Sequence, residues 1–236
     1  MLISGFQKTT LLDYPGLVAC TVFTGGCNMR CPFCHNAGIV LNPEDNISSD
    51  EVYRYINRRK FVYDGVCITG GEPTLNKDLP EFLYKIKSSG LKVKLDTNGL
   101  NPSAIMQLIS GNLVDYIAMD IKSSVSNYDK ASGIETIDTD RILMSIDYIM
   151  NCKIDYEFRT TLVKGIHTYD DMEEIGEMIS GAKRYFLQSF KDSGDIIAKH
   201  DTSENKPVFD SFSEDELNHF LEIARITIPE TTLRGV

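Results

Sequence analysis

The stretch Gly26-Cys27-Asn28-Met29-Arg30-Cys31-Pro32-Phe33-Cys34-His35-Asn36 holds three cysteines in the spacing C-x3-C-x2-C, with the aromatic Phe33 just before the last. Three thiolates can hold three corners of a cubane 4Fe–4S cluster and leave the fourth iron without a protein ligand. A purely electron-carrying cluster normally takes four cysteines, so an open iron implies a further ligand there. Zinc on the three cysteines plus His35 is the plain alternative. Cys34 and His35 are adjacent, however, and zinc ligand pairs are normally spaced by two or more residues. No second Cys/His pair follows at zinc-finger spacing. A disulfide framework fits a reducing compartment poorly.

The run resembles the signature of the radical S-adenosylmethionine (SAM) enzymes. In that family the amino and carboxylate groups of SAM chelate the open iron. The resemblance implies one 4Fe–4S cluster on Cys27, Cys31 and Cys34, with SAM beside it and Phe33 at the cofactor. It also implies reductive cleavage of SAM to methionine and a 5′-deoxyadenosyl radical.

Outward from this run, short apolar runs alternate with capped amphipathic segments. Six runs read as strands: Leu17–Phe23, Gly65–Thr69, Leu91–Asp96, Val114–Met119, Ile154–Thr161 and Arg184–Gln188. Their Val, Ile, Leu and Phe content suits strands covered on both faces. Ser48-x-x-Glu51, Asp78-x-x-Glu81, Asp170-x-x-Glu173 and Ser213-x-x-Glu216 predict helix starts, as do Pro102 and Asp138-Thr139. This alternation predicts an α/β fold with a parallel sheet and right-handed crossovers. The radical SAM resemblance narrows it to a partial (β/α)6 TIM-type barrel, a single domain over residues 1–236.

In β/α barrels the chemistry sits at the C-terminal strand ends, and each predicted strand ends in a suggestive cluster. Gly70-Gly71-Glu72-Pro73 follows the second. Two glycines let backbone approach a ligand closely, and in the radical SAM family this segment binds the SAM amino group. An ordinary Gly-Gly turn is the alternative. Asp96-Thr97-Asn98-Gly99 ends the third strand, and Asp120-Ile121-Lys122 ends the fourth. These resemble the glycyl-radical-enzyme activases. There the resemblance implies a K⁺ or Na⁺ ion on Asp96, Thr97 and Asp120 beside the SAM carboxylate, with Lys122 near the same group. Hard oxygen ligands suit a hard cation, although Asp96 and Asn98 are also turn residues. Arg159 ends the fifth strand, where a charge is costly unless paired. Its partner is the SAM carboxylate by resemblance, or Asp96, Asp120 or Glu157 in a structural salt bridge. Gln188 and Phe190 end the sixth and are candidates for the adenine side, with core packing the alternative for Phe190.

Thr10-Leu11-Leu12-Asp13-Tyr14-Pro15-Gly16, then Val22-Phe23-Thr24-Gly25-Gly26-Cys27-Asn28, closely resembles the longer type of anaerobic ribonucleoside-triphosphate reductase activating protein. This implies a backbone glycine of a glycyl radical enzyme as the substrate. The large subunit of that reductase is then the partner, and flavodoxin or ferredoxin the electron donor. Asp13 becomes a catalytic candidate that positions the target glycine loop. A plain Asp-x-Pro-Gly turn is the alternative. Rival activities are a pyruvate formate-lyase-type activase and a radical SAM enzyme acting on a small molecule, such as 7-carboxy-7-deazaguanine synthase. A non-enzymatic Fe–S or zinc carrier would leave Gly70–Pro73 unexplained. Cys20, Cys67 and Cys152 read as small buried hydrophobes.

The net charge is −10, from 24 basic and 34 acidic residues, and the densest basic run is Arg54 to Lys60. Such a balance disfavours a nucleic-acid partner. No stretch approaches the roughly 20 apolar residues of a membrane span, and no signal peptide is read. A cytoplasmic protein without membrane attachment is expected.

Overall fold

The computed structural model describes residues 1–44, 47–192, 194–200 and 208–235. Eight strands form one sheet in sequence order. They are β1 (Ile3–Thr10), β2 (Ala19–Thr24), β3 (Gly65–Gly70), β4 (Lys92–Thr97), β5 (Tyr116–Asp120), β6 (Asp155–Leu162), β7 (Tyr185–Ser189) and β8 (Thr231–Arg234). β1 runs antiparallel to β2, and all later neighbours are parallel. Strands β2 to β7 are the six expected ones, displaced by no more than two residues at either end. With their crossover helices they form the partial (β/α)6 barrel. β1 and β8 extend it at its two edges without pairing to each other, so the barrel stays open.

Eight helices accompany the strands among the described residues: α1 (Ala37–Leu41), α2 (Ser49–Arg58), α3 (Leu79–Ser88), α4 (Pro102–Ser110), α5 (Tyr128–Ser132), α6 (Thr139–Asn151), α7 (Tyr169–Met178) and α8 (Glu214–Thr227). Ser213 and Glu216 form the expected capping box of α8. Ser48 caps α2 by position, but its side chain makes no cap bond. The start of α7 differs from expectation. Thr168 is the N-cap, and it exchanges bonds with Asp171 two residues before the predicted box would close. Thr168 is still extended (φ −119°, ψ 171°), whereas Asp170 already lies in the first helical turn. None of the described helices is long and apolar enough to cross a membrane.

The pleat sorts the strands into two faces. Val93 and Leu95 of β4 and Tyr156 and Phe158 of β6 are buried in the apolar core with helix residues such as Ile105, Ile142 and Ile146. Lys94, Asp96, Glu157 and Arg159 alternate with them and face the lumen. At the N-terminal end of the strands, Tyr14 plugs that lumen. Its ring lies 5.9 Å from that of Tyr116. It is held there by a turn in which the Leu17 N–H donates to the Tyr14 carbonyl at 3.2 Å. Gly16 supplies the positive φ of 73° that this turn requires.

Candidate active site

The cysteine loop leaves β2 and is fixed along its length by backbone hydrogen bonds. The Gly26 N–H donates to Ile39, the Arg30 N–H to Ser132, and the Cys34 N–H to Cys31, at 2.8, 2.8 and 2.9 Å. From the other side the Ala198 and Ile197 N–H groups donate to the carbonyls of Pro32 (2.8 Å) and Cys34 (3.2 Å). Cys27, Cys31 and Cys34 all line one cavity of about 620 Å³, within the range of small-molecule sites. Burial, opposed by Lys122 and helped by the neighbouring thiols, pushes the Cys31 thiol up to about 12. The Asn98 side-chain amide lies 3.8 Å from Cys27 Sγ and donates to Asn28 Oδ1 at 2.8 Å.

Gly70 and Gly71 form the adjoining wall. The Gly71 N–H donates to Thr24 and the Glu72 N–H to Gly26, both at 2.8 Å. A Cβ on Gly71 would collide with the Gly26 carbonyl, and one on Gly70 with the Thr24 backbone. The glycine pair thus lets the β3 turn lie directly against the start of the cysteine loop. Glu72 has a different task. It is fully buried, and its carboxylate accepts from Thr74 N–H and Oγ1, Thr97 Oγ1 and the Asn98 N–H at 3.1, 2.6, 2.8 and 2.7 Å. It ties the turn after β3 to the turn after β4.

Below the cysteines lies a layer of charge. Arg159 Nε donates to Asp120 Oδ1 at 2.8 Å, and an Arg159 terminal nitrogen to Asp96 Oδ2 at 3.2 Å. Lys122 Nζ donates to Asp120 Oδ2 at 3.1 Å, and Lys94 Nζ pairs with Asp96 Oδ1. Three cationic side chains face two carboxylates, which leaves positive charge for an anionic ligand. One layer over, buried Glu157 accepts from Tyr116 Oη at 2.8 Å and from both terminal nitrogens of Arg234 at 3.3 Å.

The sequence profile of the Radical SAM superfamily matches residues 21–179. The chain belongs to the radical SAM superfamily. A Methanocaldococcus jannaschii protein named for glycyl-radical enzyme activation is 34% identical over 197 residues, which covers 80% of each chain. A Staphylococcus aureus pyruvate formate-lyase-activating enzyme is 31% identical over 72% of this chain and 71% of its own. Among solved structures, Streptococcus suis SuiB bound to its precursor peptide SuiA superposes with a TM-score of 0.68 at 16% identity. That match covers 91% of this chain and 48% of SuiB, and it shares the fold.

Radical SAM enzymes use a 4Fe–4S cluster and SAM. The donor set here suits both: three sulfur ligands for iron, glycine backbone lining the cavity beside them, and a cationic layer for a carboxylate. The cavity gathers nearly all the site candidates, including Phe33, Asp96, Thr97, Asp120, Lys122, Arg159, Gln188 and Phe190. Glu72 and Pro73 do not line it, because their side chains are buried behind the turn. Asp13 does line it, but from the loop at the opposite end of the strands, where it accepts from Thr21 Oγ1. Both readings of Arg159 remain compatible, since it bridges Asp96 and Asp120 and still borders the cavity. Asn98 and Arg234 also line the cavity, and Lys94 stands behind its wall beside Asp96. Motif reasoning reads Asn98 only as a turn residue and gives no reading of Lys94 or Arg234. The available signal for Lys94 was its alternation with Val93 and Leu95.

Burial pushes Asp96 and Asp120 up, but Arg159 pulls both further down, helped by Lys94 at Asp96 and by Lys122 at Asp120. A depressed carboxyl contributes stability that is fully present above its unfolded pKa, about 4, and is lost as pH falls toward the folded value. Denaturant titrations are therefore expected to show no loss from these groups between about pH 5 and 8, and a decline below about pH 4. Asp120→Asn should flatten that acid limb. An acid limb unchanged by the substitution would remove the layer from the account.

Proposed function

We propose that this chain is a glycyl-radical-enzyme activating enzyme and that its partner is the large subunit of an anaerobic ribonucleoside-triphosphate reductase. One observation carries the reading: Cys27, Cys31 and Cys34 line the same cavity as Asp13, which lies at the other end of the barrel strands. A radical made among the cysteines thus has a route to a polypeptide held near Asp13. The names of the two relatives support the same class of substrate.

When bound, the cluster and SAM supply one-electron cleavage chemistry that yields a 5′-deoxyadenosyl radical, an acceptor for a hydrogen atom from a glycine Cα. Cys27, Cys31 and Cys34 hold the cluster. Gly70 and Gly71 offer backbone to the SAM amino group, and Arg159 and Lys122 offer charge to its carboxylate. Phe33, Gln188 and Phe190 border the adenosine side. Asp13 positions the incoming glycine loop, and the Tyr14 plug closes the floor beside it. Flavodoxin or ferredoxin supplies the electron.

The test is an anaerobic mixture of reconstituted protein, SAM, reductant and the reductase large subunit. A glycyl-radical doublet is expected by EPR. Deuterium placed on the target glycine Cα should appear in 5′-deoxyadenosine, and Gly→Ala in the partner should abolish the doublet. Turnover of a small heterocycle with deuterium transfer, and no doublet with any partner, would place the chain with the small-molecule enzymes.

A further inference from the structure

Lys94 is the cation of the charge layer for which the proposed chemistry has no task. Its side chain is only 2% exposed. In register it stands between Cys67 of β3 and Tyr116 of β5. Its Nζ lies 4.0 Å from Cys67 Sγ and 6.0 Å from the centre of the Tyr116 ring. Asp96 follows two residues later on the same face of the strand, and Nζ pairs with its Oδ1. An ammonium so deeply buried is costly unless compensated, and Asp96 is the carboxylate that compensates it.

This pairing completes a pattern. Asp96 Oδ1 takes Lys94, and Oδ2 takes Arg159. Asp120 Oδ1 takes Arg159, and Oδ2 takes Lys122. Thr97 Oγ1 donates to Glu72 and accepts from the Gly99 N–H. A K⁺ or Na⁺ ion on Asp96, Thr97 and Asp120 would share each of those oxygens with a group that presents positive hydrogen to it. A hard cation depends on such oxygens for its coordination, and neighbouring like charges oppose it. Counted with Glu157, which lies 4.0 Å from Arg159, and its partner Arg234, the layer carries four positive side chains against three negative ones, so a metal ion has no charge there to neutralise.

We propose that Lys94 is this chain's built-in counter-charge: its ammonium stands beside Asp96 in the place of a monovalent metal ion, and the SAM carboxylate is held without metal. Lys94 is a positioning residue. It fixes one oxygen of Asp96, and the other oxygen fixes the Arg159 guanidinium. The inference rests on SAM as the ligand of this layer, and it holds whichever polypeptide is the partner.

The test compares SAM affinity of reconstituted protein, by anaerobic equilibrium dialysis, with tetramethylammonium or K⁺ as the sole added cation. The wild-type dissociation constant is expected to differ by less than about twofold between the two salts. Lys94→Met keeps the stem and removes the charge. Its affinity in tetramethylammonium is expected to fall about tenfold or more and to recover in K⁺, which takes the place left free. Thallium(I) NMR should show a bound resonance in Lys94→Met and none in wild type. Lys94→Arg should remain independent of K⁺. A wild-type affinity that rises tenfold with K⁺ overturns the proposal. So does a Lys94→Met protein that binds SAM equally well in both salts, or a loss that K⁺ fails to reverse. Should Lys94→Met not fold, Lys94→Gln takes its place, and the wild-type comparison still decides against the proposal if K⁺ matters. Wild-type protein that binds no SAM in either salt would instead overturn the assignment of this layer to SAM.

Discussion

Cys31→Ala is expected to give a folded protein that cleaves no SAM. Cys31 is buried at the centre of the cysteine loop, and the backbone bonds that hold the loop do not involve its sulfur. Removing one small buried atom costs about 1 kcal/mol, a modest part of the 5–15 kcal/mol typical of domains. The chemistry has no such margin, because a cluster with two protein ligands is not held in place to receive and pass on an electron. Cys20→Ala and Cys152→Ala are the controls. Cys67 is not one: it is buried, but its Sγ lies 3.8 Å from Asp96 Oδ1 and 4.0 Å from Lys94 Nζ, in the charge layer rather than the apolar core expected of it. Cys20 sits in the outer apolar core, and Cys152 Sγ contacts the Ile149 carbonyl at 3.0 Å. The checks are iron per chain after anaerobic reconstitution, 5′-deoxyadenosine formed on reduction, and a thermal melt for each variant. If Cys31→Ala cleaves SAM at the wild-type rate, or a control loses cleavage with its melt unchanged, the ligand assignment is wrong.

The six central strands were legible because their outer faces are apolar and packed under helices, so each leaves an aliphatic run. The lumen was harder to read. Arg159 was legible, because a charge in such a strand needs a partner, and Asp96, Asp120 and Glu157 are those partners; Lys94 looks like a scattered charge until the pleat brings it beside Asp96. β1 carries polar Gln7, Lys8 and Thr9 on its exposed stretch and offers no aliphatic signal. β8 is four residues long, and only its pairing with β7 shows that Arg234 faces Glu157. The Gly70–Pro73 motif was recognised as a unit, yet its members divide the labour. The glycines border the cavity, and Glu72 faces inward to staple two turns together. A motif reports which residues belong together but not which way each side chain points.

Arg159→Met is expected to have the second large effect, on both stability and SAM binding. Arg159 is the one side chain that joins Asp96 to Asp120. Removing one partner of a buried ion pair costs about 3–5 kcal/mol. The low end applies here, because Lys94 and Lys122 each stay with one carboxylate. About 3 kcal/mol corresponds to a fall in Tm of roughly 6–12 °C for a chain of this size. Arg159→Lys keeps the charge but loses the planar fork that spans two acids, so its Tm should lie between. Arg159→Lys also separates the two roles. SAM affinity should not recover with the Tm, because the guanidinium fork that meets the ligand carboxylate is still missing. Recovery of both together would mean that Arg159 only holds the layer in shape. A Tm for Arg159→Met within a degree or so of wild type, below what about 1 kcal/mol produces, would mean that the layer contributes little to the fold.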